Sequence, residues 1–216
     1  VFEAGYGNNA IPEGRNMMVT YITGLWIIQQ CRNRWLAQRE GSLSWDEIVQ
    51  VSEQCGPSRA FIDVDDPVFG CPQADMPATV REACVQTGQG RLESMGEIAR
   101  CLYESLVLKY RRNVECLEKI TGHRLEFIHI MGGGIQNKTL CQWIADATGI
   151  PVMAGPTETT SMGNLLMQLK ADGEIVSLEE GREISLRSSQ VDFYEPSGKK
   201  WWDDTYGKYR ELFRKK

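Results

Sequence analysis

Hydrophobic side chains recur along this 216-residue chain with the spacing of helices that alternate with short strands. Between residues 95 and 121 they repeat every three or four positions, which predicts one long amphipathic helix. Ser94 and Glu97 form a capping-box pattern at its start, and Gly122 is placed to end it. Similar spacing, with its own caps and breakers, predicts further helices at about 16–39, 45–55, 76–87, 136–148, 156–170 and 200–214.

Short runs of β-branched and aromatic residues predict strands between these helices. Residues 1–15, rich in Gly and Asn, are predicted to form a loop, and 171–216 a tail that ends in an amphipathic helix. Strands that alternate with helices indicate an α/β domain with βαβ crossovers, in which ligands lie beyond the carboxyl ends of the strands. The predicted strands are 61–64, 125–131, 150–155 and 191–194.

Composition narrows the classes of function. A net charge of −5 argues against a nucleic-acid partner, and no apolar run approaches the length needed to span a membrane. Seven cysteines without a CxxC pair argue against a zinc site and favour reduced thiols in the cytoplasm. The first residues of the sequence do not have the pattern of a signal peptide, so we expect none. We therefore expect a cytoplasmic protein with no metal-ligating residues of its own.

The stretch FIHIMGGGIQN at 127–137 places three glycines between a predicted strand and a predicted helix. Glycine lets a backbone approach a ligand closely, and a helix start carries unpaired N–H groups and a partial positive charge. Gln136 and Asn137 add amide hydrogen-bonding groups. The stretch matches neither GxGxxG nor GK[ST], so residue chemistry alone leaves two interpretations open: a nucleotide contact or a tight turn.

The glycine stretch belongs to a longer pattern. Residues 132–168 carry GGG-x-QN, then ADATG, then AGP, then E-x-T-x-x-G-N. Three upstream segments follow family patterns as well: TGLWIIQQ (23–30), DMPATVREACVQTGQ (75–89) and ARCLYESLVLKYR (99–111). Over about 16–170 the sequence resembles the FGGY family of carbohydrate kinases, and within it the subfamily that acts on L-rhamnulose.

The resemblance implies an actin-like ATPase, or ribonuclease-H-like, α/β fold. Residues 1–216 would be the C-terminal nucleotide-binding domain of a two-domain kinase, lacking the upstream strands. The implied reaction transfers the γ-phosphoryl group of ATP, with Mg²⁺, to the 1-hydroxyl of a ketose, here L-rhamnulose. The implied catalytic aspartate and most sugar contacts lie upstream of Val1, so we expect no catalytic residue in this chain and no activity from it alone.

Few site residues carry over from the family. Gly133 matches a nucleotide contact in the glycine turn, and Gln29 matches a second at the end of the GLW-I-I-Q element. The matching nucleotide-site residues of the turn are Gly132, Gly134, Gln136 and Asn137. Tyr21 departs from the subfamily, which has Asn there. This departure leaves open another kinase of the family, acting on xylulose, fuculose or glycerol. A non-catalytic actin-like module is the alternative from a different class.

Two further groups of residues are interpreted as structural. Asp63, Asp65 and Asp66 invite a catalytic role, but their DVDDP context predicts a turn. Cys84 and Cys101 fall in matching motif positions on adjacent predicted helices, which predicts that they are neighbours and leaves a disulfide open.

Overall fold

The structure is a computed structural model that describes residues 5–214. Its chain divides into two compact units, the first made of 5–124 with 206–214 and the second of 125–205. Among the described residues, no helix is both long and apolar enough to cross a bilayer. The first unit contains β1 (Gly7–Ile11), β2 (Arg15–Val19), α1 (Trp26–Ala37), α2 (Trp45–Gln54), α3 (Met76–Gln86) and α4 (Met95–Thr121). The second contains β3 (Ile128–Ile130), α5 (Lys138–Thr148), β4 (Val152–Ala154), α6 (Thr159–Ala171), α7 (Leu178–Arg187) and β5 (Asp192–Tyr194), and α8 (Lys199–Leu212) begins there and ends in the first.

The predicted loop at 1–15 is wrong for the residues described, because β1 and β2 form an antiparallel hairpin. Glu13 and Gly14 turn the chain with φ of 66° and 69°. Most side chains of both strands are exposed. The hairpin therefore lacks the alternation of polar and apolar residues by which a half-buried strand is recognised.

The helix predicted at 16–39 begins ten residues later, at Trp26. The apolar residues Met18 and Tyr21 suggested an earlier start, but Met18 lies in β2 and Tyr21 is largely exposed in the connection. From Trp26 onward the prediction holds, since α1 buries Ile27, Ile28, Cys31 and Trp35.

Local capping fixes the other helix starts of the first unit. The side chains of Ser44, Asp75 and Ser94 each accept a backbone N–H in the first turn of α2, α3 and α4. The capping box of Ser94 with Glu97 is complete, and Gly122 ends α4 in the left-handed conformation with φ 72°. These boundaries agree with the sequence-based prediction because each depends on residues within one turn.

No strand forms at 61–64, where one was predicted. The backbone N–H of Phe61 donates to Oε1 of Gln89 at 2.8 Å, and its carbonyl accepts from Nε2 of the same side chain at 2.7 Å. The N–H of Ile62 donates to Oγ of Ser105 on α4 at 2.9 Å. The segment is largely buried, but side chains take the hydrogen bonds that a neighbouring strand would otherwise supply.

Cys84 and Cys101 are neighbours, as predicted, with their sulfurs 4.0 Å apart inside the first unit. Both are buried and both are free thiols, as are the other five cysteines.

The second unit contains the predicted βαβ crossover. β3 and β4 pair in parallel, and α5 connects them and packs against β4 and β5. β5 adds on the other side of β4 in antiparallel orientation. α7 was not predicted, although Ser177 caps it by accepting the N–H of Glu180, a local signal of the same kind as at Ser94.

Gly96 tests the contact between α2 and α4. A Cβ built on Gly96 would lie 2.5 Å from the carbonyl oxygen of Val51 and 2.6 Å from Sγ of Cys55. Gly96→Ala should therefore lower the free energy of unfolding by about 1–3 kcal/mol, the cost of overpacking a core, as measured by chemical denaturation. Gly207→Ala on α8, where a Cβ meets nothing within 4 Å, is the control and should not destabilise the chain. Equal stability of Gly96→Ala and the parent chain would contradict this packing.

Asp75 gives a pH-dependent prediction. Partial burial raises the pKa of Asp75, but the Ala78 N–H and the Arg34 guanidinium, 2.9 Å away, outweigh it, so the pKa lies below its usual value. A carboxyl group whose pKa is lower in the folded state stabilises the fold at pH values above its unfolded-state pKa of about 3.9. This stabilisation is lost as the pH falls through the folded-state pKa. Asp75→Asn keeps a capping oxygen and should cost about 0.2–1 kcal/mol at pH 7, the size of an exposed ion pair. In an acid denaturation series the difference between the two proteins should begin to shrink below about pH 4 and vanish once the pH is below the lowered folded-state pKa; a constant difference down to pH 2 would contradict it.

Candidate nucleotide-binding site

The glycine turn begins directly after β3. Gly132 takes φ 82° and ψ −168°, and Gly133–Gln136 form one 3₁₀ turn before α5 starts at Lys138. The N–H of Ile135 donates to the carbonyl of Gly132 at 3.3 Å, and that of Asn137 to the carbonyl of Gly134 at 3.2 Å. The α-helix thus starts two residues later than predicted, and the turn satisfies some of its own N–H groups.

Asn137 caps α5. Its Oδ1 accepts the backbone N–H of Leu140 at 2.9 Å, so the side chain has a structural role in this fold. Gln136 is exposed at the end of the turn. Because Asn137 already accepts one N–H of the first turn of α5, the helix start has fewer free N–H donors for a phosphate than the sequence suggested.

The fold requires a glycine at position 132 but not at position 133. Gly132 adopts a positive φ that other residues rarely take, whereas Gly133 does not. A Cβ on Gly133 would meet no atom within 4 Å. Neither backbone conformation nor packing within the chain requires a glycine there, and the bare backbone faces open space.

A second turn, after β4, lies against the first. The N–H of Gly155 donates to the carbonyl of Ile130 at 2.9 Å, and the N–H of Gly132 to the carbonyl of Pro156 at 3.2 Å. A Cβ on Gly155 would lie 2.5 Å from the carbonyl oxygen of Gln190, so only glycine fits. The ring Nε2 of His129 contacts the Gly155 carbonyl. The sequence alone did not predict this contact, since 26 residues separate His129 from Gly155.

The ADATG element has a structural explanation. Oδ1 of Asp146 accepts the N–H of Ser197 at 2.7 Å and Nε2 of Gln142 at 2.8 Å, which ties α5 to the segment after β5. Beneath the glycine turn lies Cys141, whose pKa burial raises to about 11, with a contribution from Asp192. Its thiol is therefore neutral at physiological pH and packs as an apolar group.

The predicted site residues do not all belong to one unit. The five residues of the turn lie together in the second unit, whereas Gln29 is exposed on α1 in the first. Glu158 and Thr160 are exposed at the start of α6. Glu158 precedes α6, and its side chain makes no capping hydrogen bond to that helix.

The acidic loop at 63–66 has structural partners. Nζ of Lys109 lies 2.7 Å from Oδ2 of Asp65 and 3.7 Å from Oδ1 of Asp63. Asp65 also accepts the N–H of Thr23, and Asp66 accepts that of Val68. These contacts agree with the predicted turn.

A cavity of about 490 Å³ lies in the first unit, between the loop at 61–73 and α3. Its walls include neither Gln29 nor any residue of the glycine turn. Within residues 5–214, no group of three or more His, Cys, Asp or Glu side chains is arranged to hold a metal ion.

Comparison with known proteins identifies the class. Residues 1–171 match the C-terminal domain of the FGGY family of carbohydrate kinases. The chain is 36% identical over 209 residues to rhamnulokinase from Bacteroides thetaiotaomicron, covering 97% of this chain and 42% of that protein. It is 32% identical to rhamnulokinase from Bacillus subtilis, covering 90% of this chain and 39% of that one. The chain belongs to the FGGY family of carbohydrate kinases, and it spans about two fifths of the length of these relatives.

Solved structures confirm the predicted fold class. A ligand-bound xylulose kinase from Lactobacillus acidophilus matches 98% of this chain with a TM-score of 0.64 at 16% identity, over 41% of its own length. Plasmodium falciparum glycerol kinase with ADP matches 98% with a TM-score of 0.62 at 17% identity, over 41% of its length. The fold is the α/β, actin-like fold of these kinases, and the chain corresponds to a C-terminal part of it.

Proposed function

We propose that this chain is the nucleotide-binding part of an ATP-dependent sugar kinase that phosphorylates L-rhamnulose at its 1-hydroxyl. In this proposal Gly133 and the turn around it form the floor under the adenosine of ATP. Gln29, the second contact predicted from the sequence, belongs to the first unit and stays a prediction. The kinase is cytoplasmic, in keeping with seven free thiols.

The bare backbone at Gly133 is the observation that carries the proposal. A glycine that the fold itself does not need is explained if a flat group must lie against it. The turn uses the N–H groups of Ile135 and Asn137 internally, and Asn137 caps α5. A surface of this kind suits a nucleoside better than a phosphate, which needs several free N–H donors.

Bound ATP would supply the γ-phosphoryl group, and Mg²⁺ would offset its negative charge. The residues of this chain contribute by positioning: Gly132 and Gly155 shape the two turns, and Asn137 and His129 hold them. No residue of the chain is assigned to Mg²⁺ or to the base. The catalytic aspartate and most sugar contacts are placed in polypeptide upstream of Val1.

The choice of L-rhamnulose as substrate is based on the rhamnulokinase relatives, which are 36% and 32% identical to the chain. A kinase acting on xylulose, fuculose or glycerol is the alternative within the family. The reason to retain this alternative is Tyr21, which departs from the subfamily pattern and is exposed.

Gly133→Leu tests the adenosine floor. The added side chain meets open space, so the stability of the chain should not change. It would fill the place proposed for the nucleoside, and the KM for ATP of the full-length kinase should rise tenfold or more, a loss of about 1.4 kcal/mol or more. Gly207→Leu, also in open space, is the matched control and should leave the KM unchanged. An unchanged KM for ATP in Gly133→Leu would show that adenosine does not bind at this turn.

The chain alone should show no turnover. Coupled detection of ADP release, with the 216-residue chain, MgATP and L-rhamnulose, should give the rate of a blank without enzyme, since the base is placed upstream. The full-length protein should phosphorylate L-rhamnulose faster than xylulose, fuculose or glycerol in the same assay. Turnover by the chain alone would refute the upstream base, and a preference for xylulose, fuculose or glycerol would refute the choice of L-rhamnulose.

A further inference from the structure

Glu158 is a motif residue without a structural role in the part of the chain that the structure describes. It opens the E-x-T-x-x-G-N element and directly precedes α6. Its side chain is exposed, and it has no hydrogen-bond or ion-pair partner within residues 5–214. The motif segment 132–168 contains one other acidic residue, Asp146, which is hydrogen-bonded within the second unit. Of these two carboxylates, only that of Glu158 lacks a partner inside the fold.

The fold places Glu158 beside the glycine turn. The N–H of Gly132 donates to the carbonyl of Pro156 at 3.2 Å, and all of these residues belong to the second unit. Glu158 follows Pro156 by two residues, so the two Cα atoms are at most about 7 Å apart. A nucleoside that lies against Gly133 and extends over the second turn therefore comes within reach of the Glu158 carboxylate.

The chemistry of Glu158 restricts what it could bind in ATP. An ionised carboxylate accepts hydrogen bonds and donates none. The phosphates of ATP are acceptors as well and carry negative charge, so this side chain would repel them. The groups of ATP that donate are the amino group of adenine and the hydroxyls of ribose. A carboxylate beside the glycine turn therefore favours the nucleoside, in agreement with a turn that uses its N–H groups internally.

Between the two kinds of donor, ribose is the better match. The amino group of adenine lies beside ring nitrogens that accept hydrogen bonds, and this edge suits Asn or Gln, whose amides both donate and accept. The two ribose hydroxyls are neighbouring donors, which fit the two oxygens of one carboxylate. Acidic side chains bind a ribose hydroxyl in this way in dinucleotide-binding α/β folds. The carboxylate of Glu158 thus favours the sugar of the nucleotide over its base.

We propose that Glu158 binds the 2′- and 3′-hydroxyls of the ATP ribose and so selects ribonucleotides over their deoxy analogues. The inference rests on the proposed function, in which adenosine lies against Gly133. The bare backbone lies under the nucleoside, and the carboxylate holds the edge of its sugar. Before ATP binds, the partial positive charge at the start of α6 stabilises the exposed carboxylate.

A nucleotide without ribose hydroxyls tests the contact. In the full-length kinase, kcat/KM should be about tenfold or more higher for ATP than for 2′,3′-dideoxyATP, the loss expected when hydrogen bonds to a charged group are removed. Glu158→Ala should raise the KM for ATP by a similar factor and leave the KM for the dideoxy nucleotide within about twofold, so that the preference nearly disappears. Glu158→Gln keeps one accepting oxygen and should retain an intermediate preference.

Glu174→Ala is the matched control. Glu174 is an exposed acidic residue beyond the other end of α6, whose 13 residues make the helix about 20 Å long. The change should leave the KM for both nucleotides unaltered. Glu158→Ala should leave the melting temperature within about 2 °C of that of the parent protein, because its side chain has no partner within residues 5–214. A loss of ATP affinity without a loss of stability would separate a ligand contact from a structural role.

Three results would overturn the ribose contact. The first is an equal kcat/KM for ATP and 2′,3′-dideoxyATP in the full-length protein. The second is a KM that rises equally for both nucleotides in Glu158→Ala. The third is a loss in Glu158→Ala that excess Mg²⁺ restores, because the carboxylate would then bind the metal ion. Gly133→Leu separates this inference from the proposed function: a raised KM for ATP in Gly133→Leu, beside an unchanged one in Glu158→Ala, rejects only the ribose contact, whereas a full-length protein that neither binds nor uses ATP rejects both.

Discussion

The close approach of the backbone at the carboxyl ends of β3 and β4 is the constraint on which the second unit depends. Two hydrogen bonds join the turns, from Gly155 to Ile130 and from Gly132 to Pro156. The approach is so close that a single Cβ on Gly155 would collide with the carbonyl of Gln190. These contacts hold the turns against each other and so position the bare backbone of Gly133 at the end of β3.

Three glycines near this point differ in what requires them. Gly132 is required by a positive φ, and Gly155 by the space that a neighbouring backbone leaves. Gly133 is required by neither. In the sequence alone the three glycines could not be told apart. The structure explains Gly132 and Gly155 by contacts and conformation within the chain, so Gly133 is the glycine for which we propose a ligand.

Features determined within one helical turn were predictable, and features determined across the chain were not. Ser94, Glu97 and Gly122 placed α4 correctly because capping is local. The segment at Phe61 was misassigned as a strand because its partners, Gln89 and Ser105, lie 28 and 43 residues away. At the candidate site the sequence indicated the glycines and the βαβ crossover. The capping of α5 by Asn137 and the contact of His129 with Gly155 required the fold.

The bare backbone at Gly133 is the open surface that the proposed nucleoside contact requires. The turn uses the N–H groups of Ile135 and Asn137 internally, and the side chain of Asn137 accepts the N–H of Leu140. A phosphate would need such donors, whereas a flat nucleoside needs only the space that a side chain at position 133 would occupy. The proposal therefore assigns this turn to the adenosine of ATP rather than to its phosphates.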